Sequence, residues 1–253
     1  MTTRAALDNL NALLDTHTVE PHYTAGHVIG IIAVDLVYPK MPGNVVNAST
    51  YDYPVLFHKV SFEIEQLFAG DESIKHLVID AARTLEAEGV RAIVGACGYF
   101  AHFQQEVAAA VSVPVFLSSL LQLPLIKTGL KPDQSILVLA ADGDSLTPDL
   151  LRHIGAEQVP VVIQNVGDMP SFAPIRWGKT TLDNKALTHD LAELTRKAVH
   201  DHPEIGAILL ECSDLPPYAW AIQDATGLPV FDFQTLISMV HASVMQKPYY
   251  GCL

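Results

Sequence analysis

The chain has 253 residues, of which 49% are hydrophobic and 17% charged, as in globular proteins with a large core. The 28 acidic residues outnumber the 15 basic ones, and the net charge of −13 argues against nucleic acid or an anionic membrane as a partner. No apolar run approaches the roughly 20 residues of a membrane span. The N-terminus lacks the layout of a secretory signal and three cysteines make no disulfide framework, so we expect a cytoplasmic protein.

Apolar segments with the length of buried strands alternate with helical patterns along the chain. In chain order, strands are predicted at residues 28–34, 92–95, 113–117, 136–140, 159–163, 207–210 and 228–231. Helices are predicted at 71–88, 101–110 and 188–200, and Gly89 is a favourable residue for ending the first of them. This alternation predicts an α/β fold with parallel sheets, in which ligands bind beyond the carboxyl ends of the strands.

An internal repeat organises these elements. In each copy an Ala-Ile pair begins a strand that leads to a cysteine, Cys97 or Cys212, and a Pro-Val-Phe stretch follows 17 residues after that cysteine. The equal offset on two of the three cysteines argues against a coincidence of common α/β residues. We therefore predict two pseudo-symmetric, flavodoxin-like lobes with an active-site cleft between them. Residues 1–117 and 231–253 are assigned to the first lobe, and residues 118–230 to the second.

Cys97 and Cys212 each follow a predicted buried strand, at the point where the chain turns toward a helix. A helix N-terminus lowers the pKa of a thiol and also binds anions such as carboxylates. A single cysteine in this position is usually a small core residue. Pseudo-symmetry, however, predicts that both thiols face one cleft from opposite sides. Opposed thiols are suited to remove a proton from one face of a carbon acid and to deliver one to the other. Cys252 has no such context and is treated as incidental.

With these loops, the chain resembles the cofactor-independent aspartate/glutamate/hydantoin racemase superfamily. The resemblance covers most of the chain and rests on the two cysteine loops, the stretch Cys212-Ser213-Asp214-Leu215-Pro216 and the loop at residues 35–47. It implies that Cys97 and Cys212 are catalytic, that the substrate is a small carboxylate, that no cofactor is used and that the protein is a homodimer. The pairs that follow the cysteines, Gly98-Tyr99 and Ser213-Asp214, depart from the common family pairs, which argues against amino-acid substrates.

One branch of this superfamily shares further residues with the chain. Cys97-Gly98-Tyr99-Phe100 followed by Phe103-Gln104 is similar to the Alma-type dimethylsulfoniopropionate lyases. In that branch a single cysteine base removes an α-proton and a β-leaving group departs. The arylmalonate decarboxylase branch keeps only the second cysteine, so it matches this chain less well.

Eight further residues are predicted to bind substrate: Gly98, Tyr99, Ser118, Ser119, Ser213, Asp214, Asp35 and Asn47. Most have an alternative structural explanation. Serines are preferred helix N-caps, Asp and Asn initiate turns, and a tyrosine after a strand is often a packed aromatic. Thr235 is in a position similar to the serines, and Asn44 shares the turn of Asn47. The 11 histidines show no metal-ligand spacing, so no metal site is predicted.

Three functions follow as hypotheses. The first is a racemase or epimerase that moves a proton at Cα of a small α-substituted carboxylate with two cysteines. The second is a lyase or isomerase on the same scaffold, in which one cysteine acts as base for a β-elimination. The third is a non-catalytic module that binds a ligand between two lobes.

Overall fold

The computed structural model describes residues 22–249, so Cys252 and the N-terminal segment assessed for a secretory signal lie outside the described residues. Two four-stranded parallel sheets dominate this part of the chain. The first has the order β2-β1-β3-β4 and the second the order β6-β5-β7-β8. The strands are β1 Ile29–Val34, β2 Val55–Val60, β3 Ala92–Gly95, β4 Val115–Phe116, β5 Ser135–Ala140, β6 Val161–Asn165, β7 Ile205–Leu210 and β8 Val230–Phe231.

The predicted strands are confirmed with small shifts at their ends. The apolar residues of β1, β3, β5 and β7 are buried, as expected for strands covered on both faces of a parallel sheet. Strand β2 is missing from the predicted set. It lies at the edge of the first sheet and carries His58 and Lys59 among its apolar residues. An edge strand needs no continuous apolar run, since one side of it faces solvent.

Helices connect the strands: α1 Ile64–Phe68, α2 Lys75–Ala87, α3 Gln104–Ala110, α4 Leu123–Thr128, α5 Pro148–His153, α6 Ala173–Arg176, α7 Asn184–Asp201, α8 Ala219–Thr226 and α9 Phe233–Val244. Short 3₁₀ segments precede several of them, including Gly98–Phe103 and Pro216–Tyr218. Helix α2 buries residues at helical spacing, and Gly89 follows its end with a φ of +84°, as predicted for a terminating glycine. Among the described residues, no helix has the length and apolar character that crossing a membrane requires.

The two sheets repeat one another in detail, and the predicted two-lobed α/β fold is confirmed. Ile93 pairs with Val115 in the first sheet, and Ile208 pairs with Val230 at the corresponding place in the second. Cys97 follows β3 and Cys212 follows β7, and each of these strands is third in its own sheet. The two cysteines therefore lie beyond the carboxyl ends of equivalent strands. The domain boundaries stay predictions. The first sheet ends at Phe116, and α9 packs its apolar side chains against that sheet.

Candidate active site

A cavity lies beyond the carboxyl ends of the central strands of both sheets. The chain after β1 and after β3 contributes one side of it, and the chain after β5 and after β7 contributes the other. Cys97 and Cys212 both line this cavity, which is otherwise mainly apolar. The repeat thus brings the two predicted catalytic cysteines to one site, because equivalent loops of two facing lobes converge there.

The thiols do not have the lowered pKa that the sequence predicts. Burial raises the pKa of Cys97 and of Cys212 well above the ordinary value, and the nearby carboxyl groups of Glu211 and Asp214 raise both further. Cys97 precedes a 3₁₀ segment and Cys212 precedes a loop, so neither is at the start of a long α-helix. The backbone amides of Tyr99 and Asp214 favour thiolate, but burial outweighs them. The prediction of a lowered pKa was therefore wrong.

Asp214 is held in a network beside Cys212. Tyr38 donates its hydroxyl to Asp214 Oδ1 at 2.7 Å, and the amide of Asn44 donates to the same oxygen. The Cys212 thiol lies 3.5 Å from the other oxygen, Oδ2. Burial raises the pKa of Asp214, although the hydrogen bond from Tyr38 and the positive charge of Lys40 oppose that shift. The loop at residues 35–47, quoted for its family resemblance, thus orients a carboxyl group next to a thiol.

Arg176, at the end of α6, brings a positive charge to the cavity lining. Its side chain is 14% exposed, and its Nη1 lies 3.2 Å from Glu65 Oε1. The guanidinium carbon lies 4.6 Å from the ring centre of Phe68 and 4.8 Å from that of Trp177. Arg176 favours the thiolate of Cys97, although burial dominates the pKa of that thiol. Sequence reasoning missed this residue, since no motif surrounds it.

Glu211 is a second residue that sequence reasoning did not assign. It directly follows β7, is fully buried, and accepts a hydrogen bond from the Ala141 amide on Oε2 at 3.0 Å. Its Oε1 has no hydrogen-bond partner among the described residues. Burial raises the pKa of Glu211 to about 8, despite opposing contributions from the Ala141 and Gly98 amides. A charged residue at the end of an apolar strand was the available signal for it.

Gly98 has a packing role against this carboxyl group. A Cβ added at Gly98 would overlap the side chain of Glu211. Glycine therefore allows the loop after Cys97, in the first lobe, to approach the residue before Cys212, in the second. The predicted contact of Gly98 with substrate has no support in this geometry, because Gly98 is buried beside Glu211 and is absent from the cavity lining.

Of the other predicted binding residues, Ser213 and Asp214 line the cavity together with the two cysteines. The Ser213 hydroxyl donates to the carbonyl of Ala96 at 2.8 Å, which ties the two cysteine loops together. Tyr99 is fully buried outside the lining and donates its hydroxyl to the Asp142 carbonyl in the second lobe. Its position agrees with the alternative of a packed aromatic.

Four more predicted residues lie outside the cavity lining, and the side chain of each is bonded to another group of the protein. Ser118 is an N-cap that accepts from the Leu120 amide, and Ser119 donates to the Leu210 carbonyl at 2.9 Å. The carboxylate of Asp35 pairs with Lys59 and Ser61. Asn47 caps a 3₁₀ turn. The remaining polar candidate, Thr235, similarly caps α9 by bonding with Asp232.

No family model matches the chain, but several curated protein sequences do. It is 34% identical to dimethylsulfoniopropionate lyase 6 of Emiliania huxleyi (strain CCMP1516) over 235 residues, covering 88% of this chain and 61% of that protein. It is 32% identical to dimethylsulfoniopropionate lyase 7 of the same organism, covering 88% of the chain and 69% of that protein. It is 30% identical to the dimethylsulfoniopropionate lyase of Durusdinium sp. clade D, covering 88% of this chain and 77% of that protein.

The chain belongs to the dimethylsulfoniopropionate lyase family. It spans 61% of the length of lyases 6 and 3 of Emiliania huxleyi, so activity and substrate are matters for proposal. The predicted resemblance to the lyase branch of the racemase superfamily is confirmed at the level of family.

Solved structures show the same fold at low sequence identity. An aspartate racemase homologue from Pyrococcus horikoshii OT3 matches with a TM-score of 0.53 and 20% identity, covering 84% of this chain and 98% of that one. Unliganded arylmalonate decarboxylase matches with a TM-score of 0.58 and 18% identity, covering 88% and 94%. A glutamate racemase isoform from Bacillus anthracis matches with a TM-score of 0.55 and 14% identity, covering 86% and 82%. The chain therefore has the racemase fold.

Proposed function

We propose that the chain is a lyase that eliminates dimethyl sulfide from dimethylsulfoniopropionate, with a cavity cysteine as the base and no cofactor. The observation that carries the proposal is the similarity to dimethylsulfoniopropionate lyases over 88% of the chain, and the cavity offers a thiol as the base. The family membership favours elimination over the other reactions considered, since the relatives described above are lyases of this substrate by name.

The elimination needs one strong base and a departing neutral group. A cysteine thiolate takes the proton from the carbon next to the carboxylate, and the C–H electron pair forms the new carbon–carbon double bond. The bond from the β-carbon to the sulfonium sulfur breaks, and sulfur keeps that electron pair. The products are acrylate and dimethyl sulfide, and the cysteine returns its proton to solvent before the next turnover.

The environment of the thiols suits this role. The α-proton of a carboxylate is weakly acidic, and a base with a raised pKa removes it more readily once the base is ionised. Burial raises the pKa of both cavity thiols, so each is a stronger base as thiolate than an exposed cysteine. The mainly apolar lining also limits water, which favours departure of an uncharged product from a charged substrate.

A racemase or epimerase is the second candidate, and the presence of two thiols in one cavity favours it specifically. An elimination requires one base, whereas inversion at a carbon requires a base on one face and an acid on the other. In that reaction Cys97 and Cys212 would exchange roles between the two directions. The substrate would be a small carboxylate with one acidic α-proton.

The experiment supplies dimethylsulfoniopropionate to the purified protein and measures dimethyl sulfide by gas chromatography and acrylate by NMR. We expect equal amounts of both products. At least one of Cys97→Ser and Cys212→Ser should lose on the order of 10²-fold or more in turnover, as for removal of a general base. Cys252→Ser is the matched control and should keep full activity.

The same samples, run in D₂O with α-substituted carboxylates, separate the two candidates. Absence of dimethyl sulfide, combined with deuterium entry at Cα that requires both cysteines, would replace the lyase by the racemase. Absence of both reactions would remove both candidates.

A further inference from the structure

The lining of the cavity that holds the two cysteines carries one group of each charge. Within residues 22–249, Arg176 is the one basic side chain of the lining and Asp214 is the one acidic side chain. Both Arg176 and Asp214 act electrostatically on the thiol of Cys97. Asp214 lies 3.5 Å from the thiol of Cys212. The cavity thus presents a positive group and a negative group to anything bound between the thiols.

The Arg176 guanidinium is arranged as an anion site. The ring centres of Phe68 and Trp177 lie 4.6 Å and 4.8 Å from its central carbon. Among the hydrogen bonds of the described residues, it makes one, from Nη1 to Glu65. A guanidinium has five N–H donors in a planar fork that matches both oxygens of a carboxylate. Because the side chain is only 14% exposed, a carboxylate bound there would interact with it through little water.

The Asp214 carboxyl is arranged differently, with one oxygen used and the other available. Tyr38 and Asn44 both donate to Oδ1 and so fix the direction of the group. Oδ2 has the Cys212 thiol as its partner among the described residues. A methylated onium ion carries no N–H or O–H donor, so a carboxylate stabilises it by charge while apolar and aromatic groups contact its methyls. Tyr38, Phe172 and Leu36 provide such surfaces in the lining.

We infer that the cavity recognises a zwitterion from both ends, with Arg176 binding its carboxylate and Asp214, oriented by Tyr38, binding its methylated onium group. The inference rests on the proposed function, to which it adds the residues that select the substrate. It differs from the expectation that a helix N-terminus at each cysteine binds the carboxylate. It predicts that a methylated onium group and a carboxylate contribute to binding separately.

The test uses two probes that each carry one end of the zwitterion: propionate for the carboxylate and ethyldimethylsulfonium for the cation. Binding of each to the full chain is measured by calorimetry. Arg176→Gln should weaken the binding of propionate at least about 10-fold and leave the binding of the sulfonium unchanged, because it removes a charge-assisted hydrogen-bonding partner of the carboxylate. Asp214→Asn should weaken the binding of the sulfonium and leave the binding of propionate unchanged. Arg176→Lys should fall between wild type and Arg176→Gln for propionate, because lysine keeps the charge but not the fork.

Matched controls are Arg196→Gln and Asp224→Asn, which change charges outside the cavity lining and should alter neither affinity. Circular dichroism checks that each variant is folded. Three outcomes would overturn the inference. Arg176→Gln could leave the binding of propionate unchanged, or one folded variant could lose affinity for both probes equally. The third is that the wild type binds neither probe.

Turnover separates this inference from the proposed function. One outcome is that each variant loses affinity for its own probe while the wild type releases no dimethyl sulfide. This outcome would support the zwitterion site and refute the lyase. Release of dimethyl sulfide with an unchanged KM in Arg176→Gln would support the lyase and refute the site.

Discussion

Glu211 is the residue whose environment departs most from that of an ordinary carboxylate. It is fully buried beside the two cysteine loops, and the Ala141 amide donates to one of its oxygens at 3.0 Å. Burial raises its pKa to about 8, so the native protein holds this group protonated at neutral pH. Only the ionised form of Glu211 raises the pKa of the two thiols by its charge, so the protonated form leaves thiolate easier to form than the ionised form does.

The raised pKa of Glu211 makes stability depend on pH. Between the ordinary value of 4.5 and about 8, the unfolded chain ionises this group while the native protein keeps its proton. The native state therefore binds more protons in this window, and the free energy of unfolding falls as pH rises through it. By pH 8 this contribution lowers the free energy of unfolding of the wild type by an amount on the order of 5 kcal/mol. The isosteric variant Glu211→Gln has no ionisable group at this position, so its free energy of unfolding should not show this decline.

Urea unfolding at several pH values between 5 and about 8.5 measures this effect as the difference between wild type and variant. The exposed Glu157→Gln is the control and should follow the wild-type curve. Parallel curves for the wild type and Glu211→Gln would show that Glu211 is ionised in the native protein.

At the scale of one element, helix α9 connects the end of the chain's second sheet back to the first sheet. The Asp232 side chain accepts from the Thr235 amide at 2.8 Å, and Thr235 Oγ1 accepts from the Asp232 amide at 2.9 Å. This capping box starts the helix directly after β8. The apolar face that follows is buried with residues of β1 and β3. The helix therefore covers one face of the first sheet.

Leu236→Ala should lower the free energy of unfolding by about 2–5 kcal/mol, because it leaves a cavity between α9 and the first sheet. Met239→Ala, on the same helix but 46% exposed, should change it by less than about 0.5 kcal/mol. Urea unfolding followed by circular dichroism measures both. Equal effects of the two substitutions would mean that α9 does not pack on the sheet in solution.

At the scale of the whole molecule, the two lobes share a hydrophobic core. A single cluster of buried side chains contains Ile32 and Ile93 from the first sheet as well as Ile136 and Leu209 from the second. Hydrogen bonds also cross between the lobes, from Tyr99 to the Asp142 carbonyl and from Ser213 to the Ala96 carbonyl. Separation of the lobes would expose this core, so neither lobe is expected to unfold alone.

We therefore predict one cooperative unfolding transition for both lobes. Cys97 reports on the first lobe and Cys212 on the second, and their alkylation is measured by mass spectrometry in Cys252→Ser protein at increasing urea. Both thiols should become reactive at one midpoint, which should coincide with loss of helical circular dichroism. Earlier exposure of one cysteine, with half of the helical signal retained, would contradict the shared core.

Much of the fold follows from the sequence, because buried parallel strands are apolar along their whole length and repeat at equal spacing. The apolar segments predicted the inner strands, and the equal offset after Cys97 and Cys212 predicted two lobes with the cysteines in equivalent loops. Strand β2 was missed because an edge strand tolerates His58 and Lys59. Its place was decided by pairing with β1 rather than by its own composition.

The site was predicted in its cysteines and in Ser213 and Asp214, which adjoin a cysteine in sequence. Arg176 and Glu211 belong to it only through tertiary structure. Arg176 is carried to the cavity by α6, far along the chain from Cys97, and the role of Glu211 depends on the approach of Gly98 from the other lobe. The pKa of each thiol was likewise set by tertiary burial. Local sequence determines which groups a loop offers, whereas solvation and charge depend on what the folded chain places around them.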